Sequence, residues 1–217
     1  MSRHLVRVVK VGGSLFDWPE FPDRLWLWLQ TQPPAENQLI AGGGALADAV
    51  RAYDALHRLG ETRSHRLCLE LLRTTGRLLE DLLALAAARH PHVPRRQQAI
   101  RVLDVASCLS DPELVQRSPI TLPETWDVTT DSLAAHLAEL LNADELVLLK
   151  SAALEQSCSV QQAAQLGYVD PFFPRAAARL TKIRAVNLRD DKVSEWKLES
   201  GVTNTKCTTE SRRHGEE

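Results

Sequence analysis

Two glycine clusters, each standing directly after a short apolar run, constrain this chain more than any other feature in it. Leu5 to Val11 is rich in β-branched residues and is closed by Gly12-Gly13. Asn37 to Ala41 is a second such run, closed by Gly42-Gly43-Gly44. Runs of this length and composition read as buried strands. Glycines at a strand end let the backbone approach a ligand closely and turn successive N–H groups toward an anion.

Around these runs the residue period changes to helical. A tryptophan-rich stretch from about Glu20 to Gln30 ends before Pro33-Pro34, and Leu46, Val50, Tyr53 and Leu56 fall at helical spacing before Gly60. A longer helix is expected from Ser64 to Arg89, a strand over Ile100 to Val105, and a short helix followed by loop from Asp111 to Trp126, which holds three prolines. Then come a helix over Ser132 to Leu141, a strand over Glu145 to Lys150, a short helix over Val160 to Leu166, and a last strand over Ile183 to Leu188. Strands alternating with helices imply an α/β fold, a three-layer αβα sandwich with a mainly parallel central sheet. Ligands of such sheets gather beyond the carboxyl ends of the strands, where both glycine clusters lie. Residues 1–198 are expected to form a single domain, and the polar segment 199–217 a disordered tail that includes Cys207.

The Ser64 to Arg89 helix carries Leu67, Leu71, Leu72, Leu78, Leu79, Leu82, Leu83 and Leu85, too many for one narrow buried stripe. Two readings stand: a helix buried centrally in one subunit, or a contact between subunits of a homodimer or higher homo-oligomer.

Charge and cysteine use exclude several classes of function. Acidic and basic side chains nearly balance, 28 against 26, which argues against a nucleic-acid binder. No apolar run approaches the roughly 20 residues that span a bilayer. Met1 to Leu5 has no signal-peptide core. Cys68, Cys108, Cys158 and Cys207 form no CxxC pair, so neither a disulfide framework nor a zinc site is expected and the expected setting is cytoplasmic.

Three segments carry chemistry. Lys10-Val11-Gly12-Gly13-Ser14 places a cation, two glycines and a hydroxyl at one strand end, without the spacing of a Walker A loop or a dinucleotide fingerprint. A plain glycine turn is the alternative there. Gly42-Gly43-Gly44 opens a helix, whose N-terminus suits phosphate or carboxylate. Trp126-Asp127-Val128-Thr129-Thr130-Asp131-Ser132 precedes a leucine-patterned helix, and on the residues alone its Thr and Asp read first as helix caps. Lys150, at the end of a strand, is either a further cation for a phosphate or an ordinary solvent-facing residue.

Taken together, VVKVGGSL (Val8 to Leu15), IAGGGALADAVR (Ile40 to Arg51) and WDVTTDSLAAHLAELLNADELVLLKS (Trp126 to Ser151) resemble the amino acid kinase family, which includes carbamate, acetylglutamate, aspartate and uridylate kinases. The compact length, WDVTTDSLA and His57-Arg58-Leu59-Gly60 are similar to a short branch, the aminomethylfuran-phosphate kinases of methanofuran biosynthesis. The resemblance implies an ATP-dependent kinase that moves the γ-phosphoryl group to a small phosphomonoester or carboxylate, in one-carbon coenzyme metabolism if the branch applies. It implies that Lys10 neutralises the transferring group and that Asp131 holds Lys10. Gly12, Gly13, Ser14 and Lys150 would contact ATP phosphates; Gly42, Gly43, Gly44 and Thr130 would hold the acceptor. Mg²⁺ is expected on phosphate oxygens and water, since no carboxylate cluster is visible.

The sequence departs from larger members in its last third, where they carry a longer nucleotide-binding segment and a further lysine. Lys182 is the residue available for that role. Asp170 to Pro174 reads as an aromatic loop that covers the site, forms a subunit contact or packs onto its own core, with the last favoured; His57 and His65 read as helical surface residues or as walls of the acceptor pocket, and Trp18, Trp26 and Trp28 as core or interface packing. Two other functions remain open: a non-catalytic anion- or nucleotide-binding protein on the same fold, and a nucleoside-monophosphate kinase, for which the sequence shows no base pocket.

Overall fold

The computed structural model describes residues 4–94, 99–154 and 157–200. The chain runs through β1 (Val6–Val11), α1 (Phe21–Thr31), β2 (Glu36–Ala41), α2 (Gly44–His57), α3 (Glu61–Arg89) and β3 (Ala99–Val102). It continues with α4 (Val105–Leu109), α5 (Pro112–Val115), α6 (Thr130–Leu140), β4 (Glu145–Lys150), β5 (Cys158–Ser159), α7 (Val160–Gln165), α8 (Phe173–Ala176), β6 (Ile183–Asn187) and β7 (Ser194–Glu199). Among the described residues these strands form one sheet, in the order β3-β2-β1-β4-β6-β7-β5. All neighbours are parallel except β6 and β7.

Strand alternation divides the core in two. Val8, Ile40, Leu146, Leu148 and Ala185 pack under α6 and α8 with Leu133, Leu137 and Phe173. Their chain neighbours Val9, Val11, Leu39, Val147, Leu149 and Val186 face the opposite way, into a second core with Leu25, Trp26 and Trp28 of α1 and Leu79 and Leu83 of α3. The central strands read as continuous apolar runs because both faces are covered. This is the expected three-layer αβα sandwich, and Trp26 and Trp28 are packing residues within it.

The expected long elements are present, with α3 beginning three residues early and α6 two, the two-residue β5 added, and larger differences elsewhere. β3 stops at Val102, because Asp104 caps a new helix by accepting from the Ser107 N–H, so Val105 is helical. The Asp170 to Pro174 segment contains the short helix α8, with Phe173 fully buried. β6 is not the last strand. β7 follows it as an antiparallel partner, its half-polar SEWKLE pattern burying Leu198, and it occupies Glu199, where the tail was expected to begin. The rest of that expected tail, residues 201–217, lies outside the described residues.

The amino ends of the central strands hold a buried ionic cluster. Arg7 Nε donates to Glu145 Oε2 at 2.7 Å and Arg7 Nη1 to Asn37 Oδ1 at 2.9 Å. Arg184 and Lys182 meet the other oxygen of Glu145 at 3.2 and 2.9 Å. Burial pushes the Glu145 carboxyl upward, and these cations more than reverse that, Arg7 foremost.

Candidate active site

At the carboxyl ends of the same strands, side-chain parity decides what meets. Lys10 pairs in register with Leu148, and Lys150 lies two residues beyond Leu148 on the adjacent strand. Both lysines therefore point to the face covered by α6, whose first turn carries Asp131. Lys10 Nζ lies 2.8 Å from Asp131 Oδ1 as an ion pair without hydrogen-bond alignment, and Lys150 Nζ donates to Oδ2 at 2.6 Å. Lys150 also donates to the Tyr168 carbonyl at 2.7 Å.

All three groups are nearly sequestered from water. Burial alone would raise the Asp131 pKa; the Lys10 and Lys150 ammonium groups outweigh it and bring it down to about 2. Burial and the neighbouring Lys10 depress the Lys150 pKa, against the pull of Asp131. One carboxylate thus restrains two cations, each of which gains if an anion arrives.

Glycine is required here by close approach of backbone to backbone. A Cβ on Gly13 would stand 2.2 Å from the Gly44 nitrogen, and one on Gly42 2.6 Å from the Gly13 nitrogen. Gly44 has φ +53° and opens α2. The two glycine clusters therefore form one continuous floor, with the N-terminus of a 14-residue helix at its edge. Ser14 Oγ and Ser151 Oγ lie 2.7 Å apart beside it.

Asp170 is the residue the sequence reading missed. Its carboxylate is buried and accepts from the N–H and hydroxyl of Thr129, the N–H and hydroxyl of Ser132, and the N–H groups of Phe172 and Phe173. It caps α6 from 38 residues downstream of Ser132 and fixes the turn that bears Asp131. Thr129 serves as the N-cap of α6, so the capping reading of that segment holds beside the ion pairs.

Two clefts include residues of this site, the larger reaching Lys150 and the smaller Gly43 and Thr130. One of about 810 Å³ is lined by Ser14, Lys150, Ser151, Leu154, Gln162 and Tyr168. The other, of about 60 Å³, lies between α2, α3 and the 126–130 segment and includes Gly43, Arg51, His65, Trp126 and Thr130. A hollow of about 520 Å³ at the start of α3 contains none of the lysines or glycines of the site. Among the described residues no three His, Cys, Asp or Glu side chains are grouped as metal ligands, and both Asp131 oxygens already face ammonium groups. The surroundings fit Mg²⁺ only as an ion carried on phosphate oxygens and water.

The structure thus brings together Lys10, Gly12, Gly13, Ser14, Gly42, Gly43, Gly44, Thr130, Asp131 and Lys150. It does not bring in Lys182. That residue precedes β6, so a parallel sheet puts it at the amino pole, where it pairs with Glu145. His57 is exposed at the end of α2 near Tyr53, whereas His65 is buried and lines the smaller cleft.

Comparison with known proteins agrees with this architecture. Residues 6–153 match the amino acid kinase family. A curated relative, the [5-(aminomethyl)furan-3-yl]methyl phosphate kinase of Methanocaldococcus jannaschii, is 24% identical over 149 residues, which cover 66% of this chain and 64% of that protein. This chain therefore spans just under two thirds of that relative's length. Among solved structures, UMP kinase from Ureaplasma parvum superposes with a TM-score of 0.55 at 10% identity, over 90% of this chain and all of that one. Aspartate kinase from Synechocystis gives 0.56 at 14% identity, over 89% of this chain and 39% of that one. Such identities speak for the fold alone. With the family match covering more than half of its length, the chain belongs to the amino acid kinase family.

Proposed function

We propose that this protein transfers the γ-phosphoryl group of ATP to a small phosphomonoester or carboxylate. The observation that carries the reading is Asp131 bridging Lys10 and Lys150 beside a floor of glycine backbone. In this reading ATP occupies the larger cleft, its phosphates meeting Lys150, Ser14 and the N–H groups of Gly12 and Gly13. The acceptor lies over Gly42, Gly43, Gly44 and Thr130, at the mouth of the smaller cleft.

The chemistry asks little covalent help from the protein. An acceptor oxygen forms a new bond to the γ-phosphorus as the bond to the β–γ bridging oxygen breaks, and ADP leaves with that electron pair. A phosphate or carboxylate acceptor already carries an oxyanion, so no general base is needed. Lys10 stands where charge on the transferring group is neutralised, and Asp131 keeps it from turning away. Mg²⁺, when bound, adds charge neutralisation on the phosphate oxygens.

Residues 1–198 act as one catalytic unit in this proposal, in a cytoplasmic setting where ATP is abundant. The exposed leucines of α3 form a homodimer contact. The methanofuran-branch relative makes [5-(aminomethyl)furan-3-yl]methyl phosphate the first acceptor to assay. The smaller cleft supports an acceptor more compact than a nucleotide, since ligand pockets of drug-sized molecules run to about 300–1,000 Å³.

Calorimetric titration with Mg·ATP, followed by ADP release with candidate acceptors, tests the proposal. Lys10→Ala is expected to lower kcat by at least about 100-fold while ATP affinity falls only several-fold. Saturable binding without turnover by any acceptor, and an equal loss of affinity in the variant, would favour a non-catalytic binding protein.

A further inference from the structure

The smaller cleft has a polar feature that phosphate binding does not use. Its α2 wall runs from Gly43 through Ala47 to Arg51, so it leads roughly 12 Å outward from the glycine floor. Leu69, Leu72, Val128 and Leu133 make its body apolar. At about 60 Å³ it has room for roughly five water-sized groups, each needing ~10–15 Å³.

His65 lies on this wall from α3 and is only 6% exposed. Its Nδ1 is 3.2 Å from the Thr125 carbonyl oxygen. A carbonyl only accepts, so Nδ1 carries the hydrogen. Burial holds the imidazole below its ordinary pKa, against the upward pull of the Thr125 carbonyl and Glu124, so the ring is neutral near pH 7. Its Nε2 is then a bare lone pair, and among the described residues the ring's hydrogen bond is the one to Thr125.

The charges around this end are mostly matched. Arg51 pairs with Asp48 and stacks on Trp126, Arg66 pairs with Glu124, and Asp54 accepts from Trp126 Nε1. Asp54 accepts from the Gly60 N–H as well and has no ion pair among the described residues. The Cys68 thiol, its pKa raised by burial, is only a weak partner.

We propose that His65 is a specificity-determining residue of this cleft, its Nε2 accepting a hydrogen bond from an amine or hydroxyl on the acceptor, at the end remote from the phosphate. The inference rests on the acceptor site proposed above and names the group that site selects. A ligand that covers this acceptor atom without offering it a donor strips it of water and leaves it unpaired, which is how such a site discriminates.

The test uses isosteric probes: 4-aminobutyl phosphate and 4-hydroxybutyl phosphate against pentyl phosphate, titrated into the full chain without ATP. The wild type is expected to bind the two donor-bearing probes roughly tenfold or more tightly than pentyl phosphate. In His65→Asn the side-chain amide keeps the bond to Thr125 but has no group at the Nε2 position. The preference should collapse to within about twofold while pentyl phosphate binds as before. His65→Gln, which restores an amide at the Nε2 position, should recover part of the preference. Equal binding of the three probes by the wild type, a preference that survives in His65→Asn, or no binding of any probe at millimolar concentration would each overturn the assignment. ADP release with the same probes separates this inference from the kinase reading. Discrimination in binding without turnover sinks the kinase reading and leaves His65 in place; turnover with equal KM values sinks the role of His65 alone.

Discussion

Asp131 bridges two ammonium groups, and removing its charge would leave them facing each other in a largely buried site. Asp131→Asn is therefore expected to destabilise the protein by about 3–5 kcal/mol and lower Tm by roughly 10 °C in a thermal melt. The pH dependence has a definite sign. With a folded pKa of about 2 against an ordinary 3.8, the carboxyl contributes stability, on the order of 2 kcal/mol, that is fully present above pH 4. That contribution disappears as pH falls toward 2. Denaturation profiles of the wild type should show a loss in this window that Asp131→Asn lacks. Lys10 and Lys150 were legible in the sequence because strand ends are marked by glycine or by the end of an apolar run, whereas Asp131 read first as a helix cap and its hold on Lys10 came from the family resemblance. Lys182 was misassigned to the nucleotide site: a residue that precedes a parallel strand lies at the pole opposite the glycines, where it meets Glu145. Asp170 was not legible: a cap supplied from a distant loop leaves no spacing to read.

At the scale of elements, Asp170 joins the 168–173 segment to the first turn of α6, and the same segment offers the Tyr168 carbonyl to Lys150. Asp170→Asn keeps the size but cannot accept at both oxygens, so about 2 kcal/mol of cap and loop stabilisation should be lost. The expected readouts are a Tm lower by about 4–8 °C and a kcat reduced along with it. An unchanged kcat would show that Lys150 is held without this segment. The long helices and central strands matched their sequence patterns because period and burial coincide there. β7 did not, since a strand flanked on its outer side only by the two-residue β5, burying Leu198 while exposing most of its other residues, resembles polar coil. α4 was hidden for a related reason. Val105 continues an apolar run, and only the Asp104 side chain turns that run into a helix.

For the whole molecule, the leucines of α3 settle onto two faces. Leu72, Leu79 and Leu83 are buried, while Leu67, Leu78 and Leu85 are exposed, and α2 buries none of its residues while displaying Leu46, Tyr53 and Leu56. The helix is therefore a core element along one side, and the proposed subunit contact would use the other. The proposed homodimer predicts twice the chain mass in light scattering at micromolar concentration, and a monomer for Leu78→Glu combined with Leu85→Glu. A wild-type monomer under those conditions would remove the dimer.

The ionic cluster at the amino pole has a consequence for the lysines at the other. Arg7 and Glu145 sit opposite one another in register, and a slip of one residue would throw each charge to the wrong side of the sheet. The sheet is thus calibrated at one end and used at the other. Lys10 lies three residues along from Arg7 and Lys150 five along from Glu145, so their offset is fixed by charges that never touch a substrate. The glycine end is relieved of alignment, and its loops are free to be made of bare backbone, the material that can come closest to a phosphate.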